Sequence, residues 1–110
     1  MQQLNHKEVA VVRARILKQQ DYKCAVCGVS LKGKLRGGPC QDHDHETGIL
    51  RGVLCRVCNQ GEGKLKTIGI RFGGGKENHV QWLMNMISYL LAHKQPRTEY
   101  LYPQTKKGKR

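Results

Sequence analysis

A chain of 110 residues is long enough for one domain, but at this size a hydrophobic core alone gives little stability. Its 20 Lys and Arg residues against 8 acidic ones give a formal charge of +12, which favours a polyanionic partner such as nucleic acid over a membrane surface or a merely solvated exterior. No apolar run is long enough to span a membrane, and residues 1–7 lack the apolar segment of a signal peptide. We therefore expect a cytoplasmic protein with no membrane partner.

The first predicted element is a helix over residues 6–20. Asn5 and Glu8 have the spacing of a capping box, and apolar residues follow them at helical spacing. Beyond this helix, residues 31–38 combine glycines with basic side chains. That composition predicts an exposed loop suited to contact phosphates.

The centre of the chain is predicted to be a ββα unit. Two strands over residues 41–45 and 49–54 are joined by a turn around Gly48, and a short helix follows over 55–66. The glycines of residues 73–75 then break the chain.

A second long helix is predicted over residues 77–94, with apolar residues along one face and Pro96 at its end. Trp82 is expected to pack in a core or a dimer interface rather than to stack on bases. Residues 100–110 form a basic tail, which we expect to be unfolded and to add general affinity for DNA.

Four of the five cysteines form two CxxC pairs, a spacing typical of a structural zinc site. The ligands are then Cys24, Cys27, Cys55 and Cys58. In a reducing compartment such pairs favour metal over disulfide bonds. Cys40 is left over, and we expect it to pack as a small buried residue rather than to act as a ligand.

A run of carboxylate and imidazole groups, Asp42-His43-Asp44-His45, lies between the two cysteine pairs. Hydrolysis of a phosphodiester needs a base that activates water and a cation that stabilises developing charge. His43 is suited to the first task, and the oxygens of Asp42 and Asn59 suit Mg²⁺. In a regular strand, however, neighbouring side chains point apart, so Asp42 and His43 can reach one phosphate only if the strand is irregular.

Other interpretations of this run remain open. It could be a solvated polar turn, or His43, His45 and Asp42 could bind a second, catalytic zinc ion. We set a zinc deaminase aside, because the chain carries two CxxC pairs where that chemistry uses a His-x-Glu followed by a single CxxC.

The residues from Asp42 to Gly48, then 50–55, then Cys58-Asn59, resemble the bacteriophage recombination endonuclease VII family of HNH, or ββα-metal, nucleases. The likeness continues through Glu62-Gly63 and into the second long helix, so it covers roughly residues 21–91.

This resemblance implies a role for each residue of the motif. Asp42 and Asn59 would bind catalytic Mg²⁺, for which Mn²⁺ is a substitute, and His43 would be the general base. His45 would position the phosphate, and Glu62 would assist. The four paired cysteines would hold structural zinc. The family resolves branched DNA, such as four-way (Holliday) junctions in recombination, as a homodimer.

The sequence departs from the family pattern at Gln81, where the family has an acidic residue before the tryptophan. We predict an α+β fold: a zinc-stapled ββα-metal (HNH) finger, with its core over residues 21–66, flanked by two longer helices. Residues 1–99 would form the nuclease domain. The predicted function is a Mg²⁺-dependent DNA endonuclease, either structure-selective or nicking.

The alternative from another class is a zinc-stabilised DNA-binding regulator without catalysis. Asp42, His43 and Asn59 discriminate between the two, because binding alone does not need a base beside ligands for a hard metal.

Overall fold

Three helices and one two-stranded antiparallel sheet make up the fold in a computed structural model that describes residues 2–33 and 38–103. In chain order the elements are α1 (His6–Gln19), β1 (Cys40–His43), β2 (Leu50–Leu54), α2 (Arg56–Phe72) and α3 (His79–Ala92). The predicted α+β class is confirmed. Positions 34–37 of the predicted basic loop and 104–110 of the predicted tail lie outside the described residues.

Helix α1 begins with the capping box that the sequence predicts. The side chain of Asn5 accepts a hydrogen bond from the Glu8 backbone N–H, and the Glu8 carboxylate accepts one from the Asn5 N–H, both at 2.9 Å. Together they satisfy two of the backbone donors that a helix start leaves free.

Gln20, directly after α1, connects the helix to the sheet through hydrogen bonds. Its Nε2 donates to the Val53 carbonyl at 2.9 Å, and its Oε1 accepts from the Val53 N–H at 2.8 Å. The side-chain amide therefore pairs with β2 as a neighbouring peptide group would. Val53 is fully buried, so the pairing fixes α1 over the centre of the core.

The hairpin contains a β-bulge opposite Asp42. Cys40 pairs with Leu54 and Gln41 with Val53, but His43 pairs with Leu50. Asp42 therefore faces two residues of β2, Arg51 and Gly52.

The Gln41 side chain holds this bulge. Its Nε2 donates to the carbonyls of Arg51 at 2.7 Å and Asp42 at 2.9 Å, with a longer contact to Gly52 at 3.4 Å. The other half of the amide, Oε1, is buried and has no hydrogen-bond partner among the residues that the structure describes. The carbonyls thus fix the orientation of the amide, because the opposite orientation would face oxygen with oxygen.

β1 ends at His43, so Asp44 and His45 belong to the turn rather than to the predicted strand. The carboxylate of Asp44 accepts hydrogen bonds from the N–H groups of Glu46 at 2.8 Å and Thr47 at 3.0 Å. These donors, that of Thr47 first, hold the pKa of Asp44 below its ordinary value. Gly48 closes the turn with a φ of +77°, a conformation that glycine adopts without strain.

The chain divides into two compact units, residues 1–67 and 68–110. The core of the first unit is small: its buried apolar residues are Cys24, Leu31, Val53 and Leu54. Ile16, Leu17 and two further cysteines, Cys55 and Cys58, pack against them. Because cysteines make up so much of this core, what they bind decides whether the unit is stable.

The second unit consists of the end of α2 and the helix α3. Helix α2 continues to Phe72 rather than ending near residue 66, as the sequence predicts. Gly73 follows directly after α2, and a Cβ built there would lie 2.7 Å from the Cβ of Trp82. The absence of a side chain at Gly73 lets α3 approach closely, and Trp82 lies against this glycine. None of the described helices is both long and apolar enough to cross a bilayer.

Candidate metal centre and active site

The two CxxC pairs come together in the first unit. The sulfur atoms of Cys24, Cys27, Cys55 and Cys58 all lie within 4.8 Å of one another. The Cys27 and Cys55 sulfurs are 3.8 Å apart. A tetrahedral zinc site with Zn–S bonds of about 2.3 Å places its sulfurs about 3.8 Å apart. The arrangement therefore fits the zinc site that the sequence predicts.

Backbone N–H groups surround the sulfur of Cys24. Burial alone would raise the pKa of this thiol, but N–H donors from Cys27, Cys55 and Val26 outweigh it and lower the pKa to about 6. Its Sγ accepts from the Cys55 N–H at 3.3 Å and the Val26 N–H at 3.5 Å. These donors favour the thiolate form of Cys24, which is the form that binds a metal.

The pKa of Cys58 is shifted in the opposite direction. A hydrogen bond with the Cys55 side chain, followed by burial, raises the pKa of Cys58 to about 12. Its own N–H donates to the Cys55 sulfur at 3.4 Å. Since a zinc ligand must be a thiolate, binding of zinc has to release a proton from Cys58.

Cys40 does not belong to this cluster within residues 2–33 and 38–103. It opens β1, is half-buried, and its sulfur would lie 3.1 Å from a Cβ built at Gly38. Its position agrees with the prediction that it packs rather than ligates.

Among the described residues of the first unit, Asp42 is the polar side chain that is buried, with 8% of its surface exposed. Arg51 binds it through two hydrogen bonds: Nε to Oδ2 at 2.7 Å and Nη2 to Oδ1 at 3.1 Å. The same Nη2 lies 3.2 Å from Oε2 of Glu62, on α2. The carboxylates of a strand and a helix thus converge on one guanidinium group.

Asn59 lies in the first turn of α2, where its N–H donates to the Cys55 carbonyl at 2.9 Å. Glu62 follows three residues later and therefore shares a helix face with Asn59. Because Glu62 reaches Arg51 on β2, this face of α2 is the one turned towards the hairpin. The oxygen donors of Asp42, Asn59 and Glu62 are of the kind that Mg²⁺ prefers.

His43 and His45 lie side by side, with ring centroids 4.6 Å apart and ring planes inclined by 45°. The register of the hairpin shifts between Gln41 and His43, with the extra residue in β2. The prediction that Asp42 and His43 reach one phosphate stays a prediction. In the described part of the chain, Asp42, His43 and His45 do not gather as three ligands around one point, so the structure does not favour a second zinc ion there.

Sequence reasoning missed Arg51 and Gln41. Arg51 was visible as a basic residue on the second strand, but its partner depends on the bulge, which has no signature in the sequence. Gln81, the departure from the family pattern, is exposed on α3 and donates to the Asn85 side chain at 2.8 Å.

The fold and the gathered cysteines define a small α+β domain built around a site for a structural metal. Recombination endonuclease VII is the description of the family model that matches residues 2–92. Because this match covers most of the chain, the protein belongs to the recombination endonuclease VII family.

Among curated proteins, the chain is similar to the Gene 59 protein of Mycobacterium phage L5. The two are 41% identical over 46 residues, which is 42% of this chain and 27% of that protein. The chain therefore spans well under half of the length of this relative.

Proposed function

We propose that the protein is a Mg²⁺-dependent DNA endonuclease of the HNH type that hydrolyses phosphodiester bonds in branched DNA. The observation that carries the proposal is that Asp42 and Glu62 converge on Arg51 in a cysteine-held ββα unit of this family, with His43 next to Asp42 in the sequence. Residues 1–99 would form the nuclease domain, acting in the cytoplasm of the host cell if the protein is phage-encoded.

Each side chain has a task in this proposal. His43 accepts a proton from the attacking water, and His45 beside it donates a hydrogen bond to the phosphate. Asp42 and Asn59 hold Mg²⁺, and Glu62 assists them. When bound, Mg²⁺ would stabilise the charge that develops on the phosphate oxygens. The formal charge of +12 supplies affinity for the DNA backbone without reading sequence.

A zinc ion held by the four cysteines would stabilise the site for Mg²⁺. Cys55 follows β2 and Cys58 immediately precedes Asn59, so a zinc ion there would fix the junction between the hairpin and α2. The residues that bind Mg²⁺ come from both sides of that junction. Their mutual geometry would then depend on the four cysteines.

We also propose that two copies of the chain associate through α3. No residue of α3 is buried, and its sequence contains no Lys, Arg, Asp or Glu. A surface between two copies of a chain with charge +12 must avoid basic residues, and α3 meets this requirement. The helix exposes large apolar side chains: Val80, Met84, Met86, Ile87, Tyr89, Leu90 and Leu91.

Sedimentation of Ile87→Glu tests the dimer, with Asn85→Glu as the control that adds the same charge at a polar position of α3. We expect Ile87→Glu to be monomeric and Asn85→Glu to remain dimeric. A monomeric wild-type protein would contradict the proposal.

Cleavage of a four-way junction and of its matched linear duplex, with Mg²⁺ or EDTA, tests the substrate class. We expect Mg²⁺-dependent cutting that is faster on the junction. Equal rates would indicate a general nicking enzyme instead. Tight binding to both without cutting would favour the non-catalytic DNA-binding protein.

A further inference from the structure

Arg51 contacts both carboxylates that are assigned to the catalytic cation. Both oxygens of Asp42 accept hydrogen bonds from its guanidinium, and Glu62 lies 3.2 Å from the same Nη2. The side chain of Asp42 is 10% exposed and that of Arg51 is 40% exposed. The acidic partner is thus held in place, while the basic one has a path to solvent.

Asp42 and Glu62 need a positively charged partner when no metal ion is bound. Two partly buried carboxylates side by side repel each other unless a cation lies between them. A planar guanidinium matches a carboxylate with two parallel hydrogen bonds, so Arg51 neutralises Asp42 in a fixed orientation. The same positive charge would repel a dication that approaches those oxygens.

We propose that Arg51 is a resident counter-ion, which holds Asp42 and Glu62 in the metal-free protein and is displaced from Asp42 when a divalent cation binds. Arg51 thereby sets the affinity of the site for metal. The inference rests on the proposed function in one respect, since it takes Asp42 as a ligand of the catalytic cation.

A purely structural ion pair makes the opposite prediction for an uncharged variant. If Arg51 only positioned the carboxylates, Arg51→Met would leave them disordered and would weaken metal binding. If Arg51 competes with the metal, Arg51→Met removes the competitor and strengthens binding. The sign of the change in affinity therefore separates the two.

Mn²⁺ binding to the zinc-loaded full chain, measured by electron paramagnetic resonance without DNA, is the test. We expect Arg51→Met to bind Mn²⁺ about tenfold more tightly than wild type. Arg56→Met, which removes the same charge from an exposed residue at the start of α2, should stay within about twofold. Asp42→Asn should lose the site.

Nuclear magnetic resonance of the wild-type protein gives a second readout that needs no variant of Arg51. The Nε–H of Arg51 donates to Asp42 at 2.7 Å, so its signal should shift as Mg²⁺ is added. The shift should saturate together with metal binding.

Some outcomes overturn the inference and leave the proposed function intact. One is Mn²⁺ binding that is unchanged or weaker in Arg51→Met. The other is an Arg51 signal that does not shift when Mg²⁺ binds. In both cases the wild-type protein would still cut DNA with Mg²⁺. Absence of both divalent-metal binding at Asp42 and Mg²⁺-dependent cutting would overturn the inference and the proposed function together.

Discussion

Two aspartates of the same short motif perform different tasks. Asp42 lies in β1 and binds Arg51, whereas Asp44 accepts two backbone N–H groups and shapes the turn. Asp44 has a lowered pKa, so its contribution to stability is present above the ordinary carboxyl range and is lost as the pH falls through the lowered value. The hairpin should therefore keep this turn at neutral and mildly acidic pH.

Gln41 offers a test of the bulge at a single residue. Gln41→Glu replaces the NH₂ group that donates to the Arg51 and Asp42 carbonyls with a carboxylate oxygen. We expect a loss of about 1–3 kcal/mol in the free energy of unfolding, because oxygen would face oxygen in a partly buried place. Denaturant unfolding of the zinc-loaded protein measures this.

The control is Gln60→Glu, an exposed position on α2 with the same chemical change. It should unfold at nearly the wild-type denaturant concentration. Similar midpoints for Gln41→Glu and Gln60→Glu would show that the Gln41 amide does not hold the bulge.

At the scale of elements, the sequence is most informative where its signal is local. The capping box predicts the start of α1, and the CxxC spacing predicts the metal cluster, because each depends on residues close together in the chain. The end of α2 and the register of the hairpin depend on distant partners. Trp82 lies against Gly73, and Arg51 finds Asp42 only through the bulge, so neither could be predicted from spacing alone.

The contact of α2 with α3 is tested at Gly73. In Gly73→Ala the added Cβ would clash with the carbonyl oxygen of Gly69 and would lie 2.7 Å from the Cβ of Trp82, so the end of α2 or α3 must shift. We expect the second unit to lose about 1–3 kcal/mol of stability, measured by thermal unfolding.

Gly63→Ala is the matched control for that change. Gly63 lies on α2, and a Cβ there meets nothing within 4 Å. Alanine should raise the stability by up to about 1 kcal/mol, because it restricts the unfolded chain and favours the helix. If both glycine variants were equally stable, the close approach of α3 at Gly73 would be wrong.

For the whole molecule, the small core makes the metal decisive. The buried apolar residues of the first unit include Cys24, and two other cysteines of the cluster pack against them. Cys58→Ser should release zinc and unfold this unit, observed as loss of bound zinc and of the cooperative thermal transition.

Cys40→Ser is the control, since Cys40 lies outside the described cluster. It should keep its zinc and its fold. A Cys58→Ser protein that is folded and free of metal would contradict the structural role of zinc.

The central claim, that this molecule cuts DNA with the residues of its hairpin and α2, is tested most directly by one cleavage measurement. Single-turnover cutting of an end-labelled four-way junction in Mg²⁺ would compare wild type with His43→Ala, with binding of the same junction measured in parallel. We expect His43→Ala to lose at least about a hundredfold in rate while its affinity for the junction and its zinc content are unchanged. Equal cutting by the variant, or no cutting by a wild-type protein that binds the junction and holds zinc, would contradict the account.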